Sequence, residues 1–208
     1  MNVTILLTGF GPFPGAPFNP TEALVTQLAS ERRPALADVT IVPHIFRTSY
    51  AAVDRDLPAL IREHRPDAIL MFGLAARTRH LRIETLARNA IVRLADADRS
   101  APTASLIAKG TRERALATPA RALLAAARDA RVHAAMSRDA GRYLCNYLCW
   151  RAAEASGAKN GPRFTAFIHV PLVRRNPVRA AKGRRLTQAD LARAGRGFLR
   201  TIAAAARR

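Results

Sequence analysis

Apolar residues in this chain fall into short blocks of strand length, separated by stretches where they recur at helical spacing. Val3 to Leu7, Val39 to Val42, Ala68 to Phe72 and Phe164 to Val170 are runs dominated by apolar and β-branched residues, as expected of strands buried on both faces. Val132 to Met136 adds a fifth apolar run, and Leu81 to Leu94 alternates in part through Ile83, Leu86, Ile91 and Val92. Between them the pattern predicts helices at about Thr21 to Ser30, Thr48 to Arg65, Arg114 to Arg128 and Tyr143 to Ser156. A last helix begins near Gln188, where Thr187 and Asp190 form a capping pair. Pro66-Asp67 stops the second helix, and Asp96 to Gly110 is polar, irregular and expected to be a mobile loop. Strands alternating with helices predict an α/β fold, with a mostly parallel central sheet and helices on both faces. Neither a repeat nor a linker interrupts the pattern, so residues 1–208 are expected to form one domain.

The chemistry concentrates in SRDAGRYLCNYLCW, Ser137 to Trp150. Small and turn-forming residues follow an apolar run and lead into a helix, which reads as strand, turn, helix. Cys145 falls in the first turn of that helix, where unpaired backbone N–H groups and the positive end of the helix dipole favour a thiolate. A thiol nucleophile needs a base, and the base needs a third group to orient it. His169, at the end of the FTAFIHV strand, and Glu84, in the segment after the third strand, supply those types. In open α/β sheets sites gather at the carboxyl ends of strands, and all three residues are expected at or near such ends. Sequence alone does not bring them together: a histidine at a strand end is commonly structural, and a glutamate commonly faces solvent.

The first loop, TGFGPFPGAPFNPT, has glycines after a strand but no phosphate-binding spacing, and Pro12 and Pro14 remove donors that an anion would use. Its Phe10, Phe13 and Phe18 suit the lining of an apolar pocket better, with the core as the alternative place for some of them. His44, His64, His80 and His133 make no metal-ligand spacing with the cysteines, so no metal site is expected. Composition changes the picture in one respect. Thirty-four Lys and Arg against 15 Asp and Glu give a formal charge of +19, which attracts anionic partners whatever the fold. The arginines are spread along the chain with few interleaved aromatics, so a solvated basic surface with nonspecific attraction for nucleic acid is expected ahead of a dedicated site. Cys145 and Cys149 lie four apart on one helix face rather than stapling distant segments. With no apolar run of membrane-spanning length and no charged leader, the expected location is the cytoplasm.

LLTGFGPFPGAPFNPT, GLAARTRHLRIETLARN, SRDAGRYLCN and FIHVP together resemble pyroglutamyl peptidase I, a family of cysteine peptidases, in order and in approximate spacing from residue 5 to residue 171. The resemblance implies a three-layer α/β/α fold and an exopeptidase that removes an N-terminal pyroglutamyl group through a thioester, needing neither metal nor cofactor. It implies Cys145 as nucleophile, His169 as general base and acid, and Glu84 as the group orienting the histidine. It also implies Phe10, Phe13 and Tyr143 near the pyroglutamyl ring, and assembly as a tetramer or dimer. The chain departs from the family's pattern at Ala76, Arg77 and Thr78, at Leu172 and Val173, and at Leu94, where an arginine beside the oxyanion is usual. Two other readings stand beside this one: a noncatalytic relative that binds an anionic partner such as nucleic acid, and an amidase with a different acyl substrate.

Overall fold

The computed structural model describes residues 2–13, 15–174 and 185–208; Pro14 therefore lies outside the described residues. Six strands form one sheet in the order β2-β1-β3-β8-β4-β7, with β1 Val3–Phe10, β2 Val39–Phe46, β3 Ala68–Leu74, β4 Leu81–Glu84, β7 Ala134–Ser137 and β8 Phe164–Val170. The first four in that order run parallel, and β4 and β7 run the other way. A two-stranded ribbon, β5 Leu86–Arg88 with β6 Glu113–Ala115, lies outside it.

Because β1, β3 and β8 are buried on both faces, their side chains serve two cores. On one face α1 Pro20–Ser30, α3 Ala120–Asp129 and α5 Gln188–Ala206 pack through Leu24, Leu28, Leu123, Phe198 and Ile202 onto Ile5, Leu7, Leu70 and Ile168. On the other, α2 Tyr50–His64 and α4 Leu144–Ser156 pack through Val53, Leu57, Leu148 and Trp150 onto Leu6, Ile69, Met71 and Phe167. The result is a three-layer α/β/α arrangement around a mostly parallel sheet. No helix among the described residues is long and apolar enough to cross a membrane.

Several elements differ from the sequence expectation, each for a local reason. β2 runs on through Pro43, which an edge strand tolerates because the missing N–H faces no partner strand. The helix expected at Arg114 begins only at Ala120: Pro119 cannot sit inside a helix and biases Thr118 toward extended backbone, while Glu113–Ala115 pairs with β5. The alternation from Leu81 to Leu94 resolves into two short strands ending at Arg88. Asp96 to Gly110 has no regular element, yet its ends are pinned. Buried Asp96 accepts from the Tyr50, Asp98 and Ser100 amides, and the Asn89 side chain accepts from the Ile107 and Ala108 amides and donates to the Ala108 and Thr111 carbonyls. The Thr187–Asp190 capping box forms as expected, each side chain accepting from the other residue's backbone N–H.

Candidate active site

Local chemistry at the end of β1 shapes one wall of a pocket. The Thr21 hydroxyl donates to the Phe10 carbonyl at 2.9 Å and accepts from the Phe10 amide at 3.0 Å, clamping the strand end to the start of α1. Asn19 caps that helix, and its amide joins the Thr48 hydroxyl on the Gly11 carbonyl. The held loop presents Phe10 and Phe13, and Tyr143 stands opposite with its ring 6.3 Å from that of Phe13 and its hydroxyl on the Ala95 carbonyl. All three rings line a cavity of about 280 Å³ that also takes in Cys145, His169, Arg82 and Arg142. Phe18 goes elsewhere, packing against the core on the opposite face of the sheet.

Strand register supplies the polar side. Arg82 pairs with His169 and Glu84 with Phe167 across the antiparallel β4·β8 ladder, so all four side chains share the face covered by α4. Glu84 is fully buried, against the usual tendency of glutamate, and its Oε1 lies 2.8 Å from His169 Nδ1. Its place also differs from the expected one: β4 runs against its neighbour, so Glu84 reaches His169 diagonally across the ladder and not from a carboxyl end shared with β8. Arg82 lies 3.2 Å from the same carboxylate oxygen and bonds the Ser137 hydroxyl and the Asp139 carbonyl, tying the turn before α4 to the same strand.

Charge follows from this geometry. Burial disfavours an ionised Glu84, but the His169 hydrogen bond and charge, then Ser137 and Arg82, bring its pKa below the ordinary carboxylate value. Burial likewise disfavours an imidazolium at His169. The charge and hydrogen bond of Cys145, followed by those of Glu84, reverse that and push its pKa up to about 9. His169 therefore holds its proton at neutral pH, between a carboxylate on Nδ1 and the Cys145 sulfur.

Cys145 is the second residue of α4, partly exposed to the pocket, and no side chain caps the helix start. The two cysteines share a helix but not an environment: Cys149 is fully buried in the apolar core, where burial drives its thiol pKa well up. A glycine that carries no local sequence signal makes room for Cys145. Gly73, paired with His169 in the β3·β8 ladder, is where an added Cβ would stand 2.8 Å from the Cys145 sulfur and 2.5 Å from the Phe167 ring. Gly73→Ala is accordingly expected to displace the sulfur, lowering kcat/KM by about a hundredfold and stability by about 1–3 kcal/mol. Steady-state kinetics with a melting curve checks this; full activity at an unchanged Tm would refute the steric account.

Leu94 is 54% exposed, and neither it nor Arg93 lines the pocket. Both lie outside any strand. The pocket's arginines are Arg82 and Arg142, neither singled out from the sequence. Arg82 was recoverable from strand period, two residues before Glu84 on the same face.

A thiol, an imidazole and a carboxylate lie together beneath an aromatic pocket on an α/β/α sheet, an arrangement suited to the class of thiol-dependent hydrolases. A family model described as pyroglutamyl peptidase matches residues 3–191, and the chain belongs to that family. Among similar proteins, the pyrrolidone-carboxylate peptidase of Cupriavidus pinatubonensis is 33% identical over 183 residues, covering 86% of this chain and 82% of that protein. That of Thermococcus litoralis is 30% identical over 169 residues, covering 80% and 76%. A mutant pyrrolidone carboxyl peptidase from Pyrococcus furiosus superposes with a TM-score of 0.85 at 24% identity, over 98% of this chain and 99% of the other. Pyroglutamyl peptidase I of Bacillus amyloliquefaciens gives 0.84 at 24% identity, over 97% of each chain.

Proposed function

We propose that this protein removes an N-terminal pyroglutamyl group from peptides, with Cys145 as nucleophile, His169 as acid and base, and Glu84 as the group that orients His169. The observation that carries the reading is the buried Glu84–His169 contact at 2.8 Å, with Cys145 lining the same pocket close enough to act on the imidazole by charge and hydrogen bond. With Nδ1 engaged by Glu84, Nε2 is the ring nitrogen left to serve the sulfur and the leaving group.

The cycle follows from those positions. The Cys145 sulfur attacks the carbonyl carbon joining pyroglutamate to the next residue, and the carbonyl π electrons move onto oxygen. The backbone N–H groups of Leu144 and Cys145, in the uncapped first turn of α4, suit the oxyanion by direction and by helix dipole. The carbon–nitrogen bond then breaks as His169 passes its proton to the departing amine, leaving a thioester and a neutral imidazole. Water attacks the thioester while His169 takes one of its protons. Pyroglutamate leaves, and the sulfur–imidazolium pair is restored. An uncharged flat lactam matches a cavity walled by Phe10, Phe13 and Tyr143, with the Asn19 and Thr48 side chains nearby for its amide edge.

Release of a chromogenic amine from a pyroglutamyl amide by the thiol-reduced protein tests the reading. Turnover of the pyroglutamyl amide with none of the corresponding prolyl amide is expected. Failure to cleave the former, with a folded protein, would overturn it.

A further inference from the structure

β3 and β8 are adjacent and parallel, and they leave the sheet side by side, the Ala75 amide donating to the Val170 carbonyl at 2.8 Å. Leu74, Ala75 and His169, at these two exits, line the catalytic pocket. The residues that immediately follow, Ala76 to Arg79 after β3 and Pro171-Leu172 after β8, line a second groove of about 240 Å³ with Arg185 and Leu186. The two cavities share no lining residue, but the chain leads from one to the next at both exits, from Ala75 to Ala76 and from His169 through Val170 to Pro171. The aromatic wall lies on the other side, at the end of β1, which flanks β3 opposite β8.

The acyl ring belongs with the aromatic wall, and the departing amine must reach His169 to collect its proton. The second groove, reached from the pocket along the two strand exits, is the neighbouring cavity that what lies beyond the scissile bond can occupy. All the ionisable residues lining that groove are arginines: Arg77, Arg79 and Arg185, with no carboxylate among the lining residues. Arg77 and Arg79 are exposed and face no carboxylate among the described residues, whereas Arg151, Arg196 and Arg207 each pair with one. Unpaired arginines occur elsewhere on so basic a chain, so position is what sets these apart. Thr78 between them fixes the turn, its amide and hydroxyl both donating to the Ala75 carbonyl at 3.0 Å.

We propose that this groove is the leaving-group subsite, and that Arg77, Arg79 and Arg185 make it selective for substrates carrying a carboxylate on the residue after pyroglutamate. The proposal rests on the pyroglutamyl-peptidase reading of the pocket. The carboxylate has two sources, the free C-terminus of a pyroglutamyl dipeptide or an acidic side chain in a longer peptide, and both present the same oxygens to a guanidinium.

The test compares kcat/KM for pyroglutamyl-alanine amide, pyroglutamyl-alanine and pyroglutamyl-glutamic acid amide, reading the released amine. At least one carboxylate substrate is expected to exceed the neutral amide by about fivefold, the scale of exposed charge pairs, and the excess is expected to shrink as salt is raised. Which one shows the excess distinguishes the C-terminal from the side-chain source. In Arg77→Ala/Arg79→Ala the ratio is expected to fall toward one. Arg121→Ala, an exposed change on α3 across the sheet, is expected to retain it, which separates the groove from overall charge. Equal turnover of all three substrates by the parent, or a preference that survives the double substitution, would overturn the subsite while leaving the peptidase reading standing. Hydrolysis of none of them would remove both.

Discussion

Cys145→Ala is expected to abolish measurable hydrolysis of a pyroglutamyl amide, lowering kcat by about six orders of magnitude, the scale seen when the nucleophile of a catalytic triad is removed. Alanine keeps the helix and removes only the sulfur, so the fold should survive, since this side chain is partly exposed to the pocket and packs only at the margin of the core. The paired measurement is Cys149→Ala. That sulfur is fully buried among apolar side chains and its thiol pKa is driven up, so it is unreactive near neutral pH. Its removal should cost about 1 kcal/mol of packing and lower Tm while turnover persists. Alkylation by iodoacetamide should label one thiol per chain in the native parent and none in Cys145→Ala. Equal loss of activity in the two variants, or labelling of Cys149 in the native state, would contradict the assignment.

His169→Ala is expected to reduce kcat/KM by about a thousandfold or more, because it removes both the partner of the sulfur and the acid for the leaving amine. Its pH signature separates this role from a structural one. Burial alone would lower the pKa of His169, but the Cys145 sulfur and then Glu84 raise it from an ordinary 6.5 to about 9. A raised pKa contributes stability in full below the unfolded value and loses it as pH climbs through the folded one, here between about 6.5 and 9. The same deprotonation empties the imidazolium that serves the leaving group, so kcat/KM of the parent should fall above about pH 9. Melting curves and pH–rate profiles measured together check both limbs. An activity flat through that range, or an upper limb unaltered in the residual activity of His169→Ala, would show that another group governs it.

The arrangement depends on one antiparallel strand. Had β4 run parallel to β8, the pairing of Arg82 with His169 and of Glu84 with Phe167 would be lost, and the carboxylate would not lie diagonally beneath the imidazole. That reversal also sends the chain through β7 and the turn at Asp139, held by Arg82, back over the pocket to start α4.

Local chemistry was legible in the chain itself. Runs dominated by apolar and β-branched residues marked β1, β3 and β8, the Thr187–Asp190 pair marked the start of α5, and turn residues before Tyr143 put Cys145 in the first turn of a helix, because burial period, capping and turn propensity act within a few residues. The direction of β4, the complete burial of Glu84, the need for glycine at 73 and the recruitment of Arg82 were decided only by tertiary structure. Each depends on what a strand or helix distant in sequence places opposite it. Cys145 and Cys149 state the difference most plainly: one residue type four positions apart on one helix, a period that predicts a shared face, yet one opens to a pocket and the other is sealed in a core. Proximity of His169 to Glu84, 85 residues apart along the chain, is likewise a property of strand pairing and not of any local pattern.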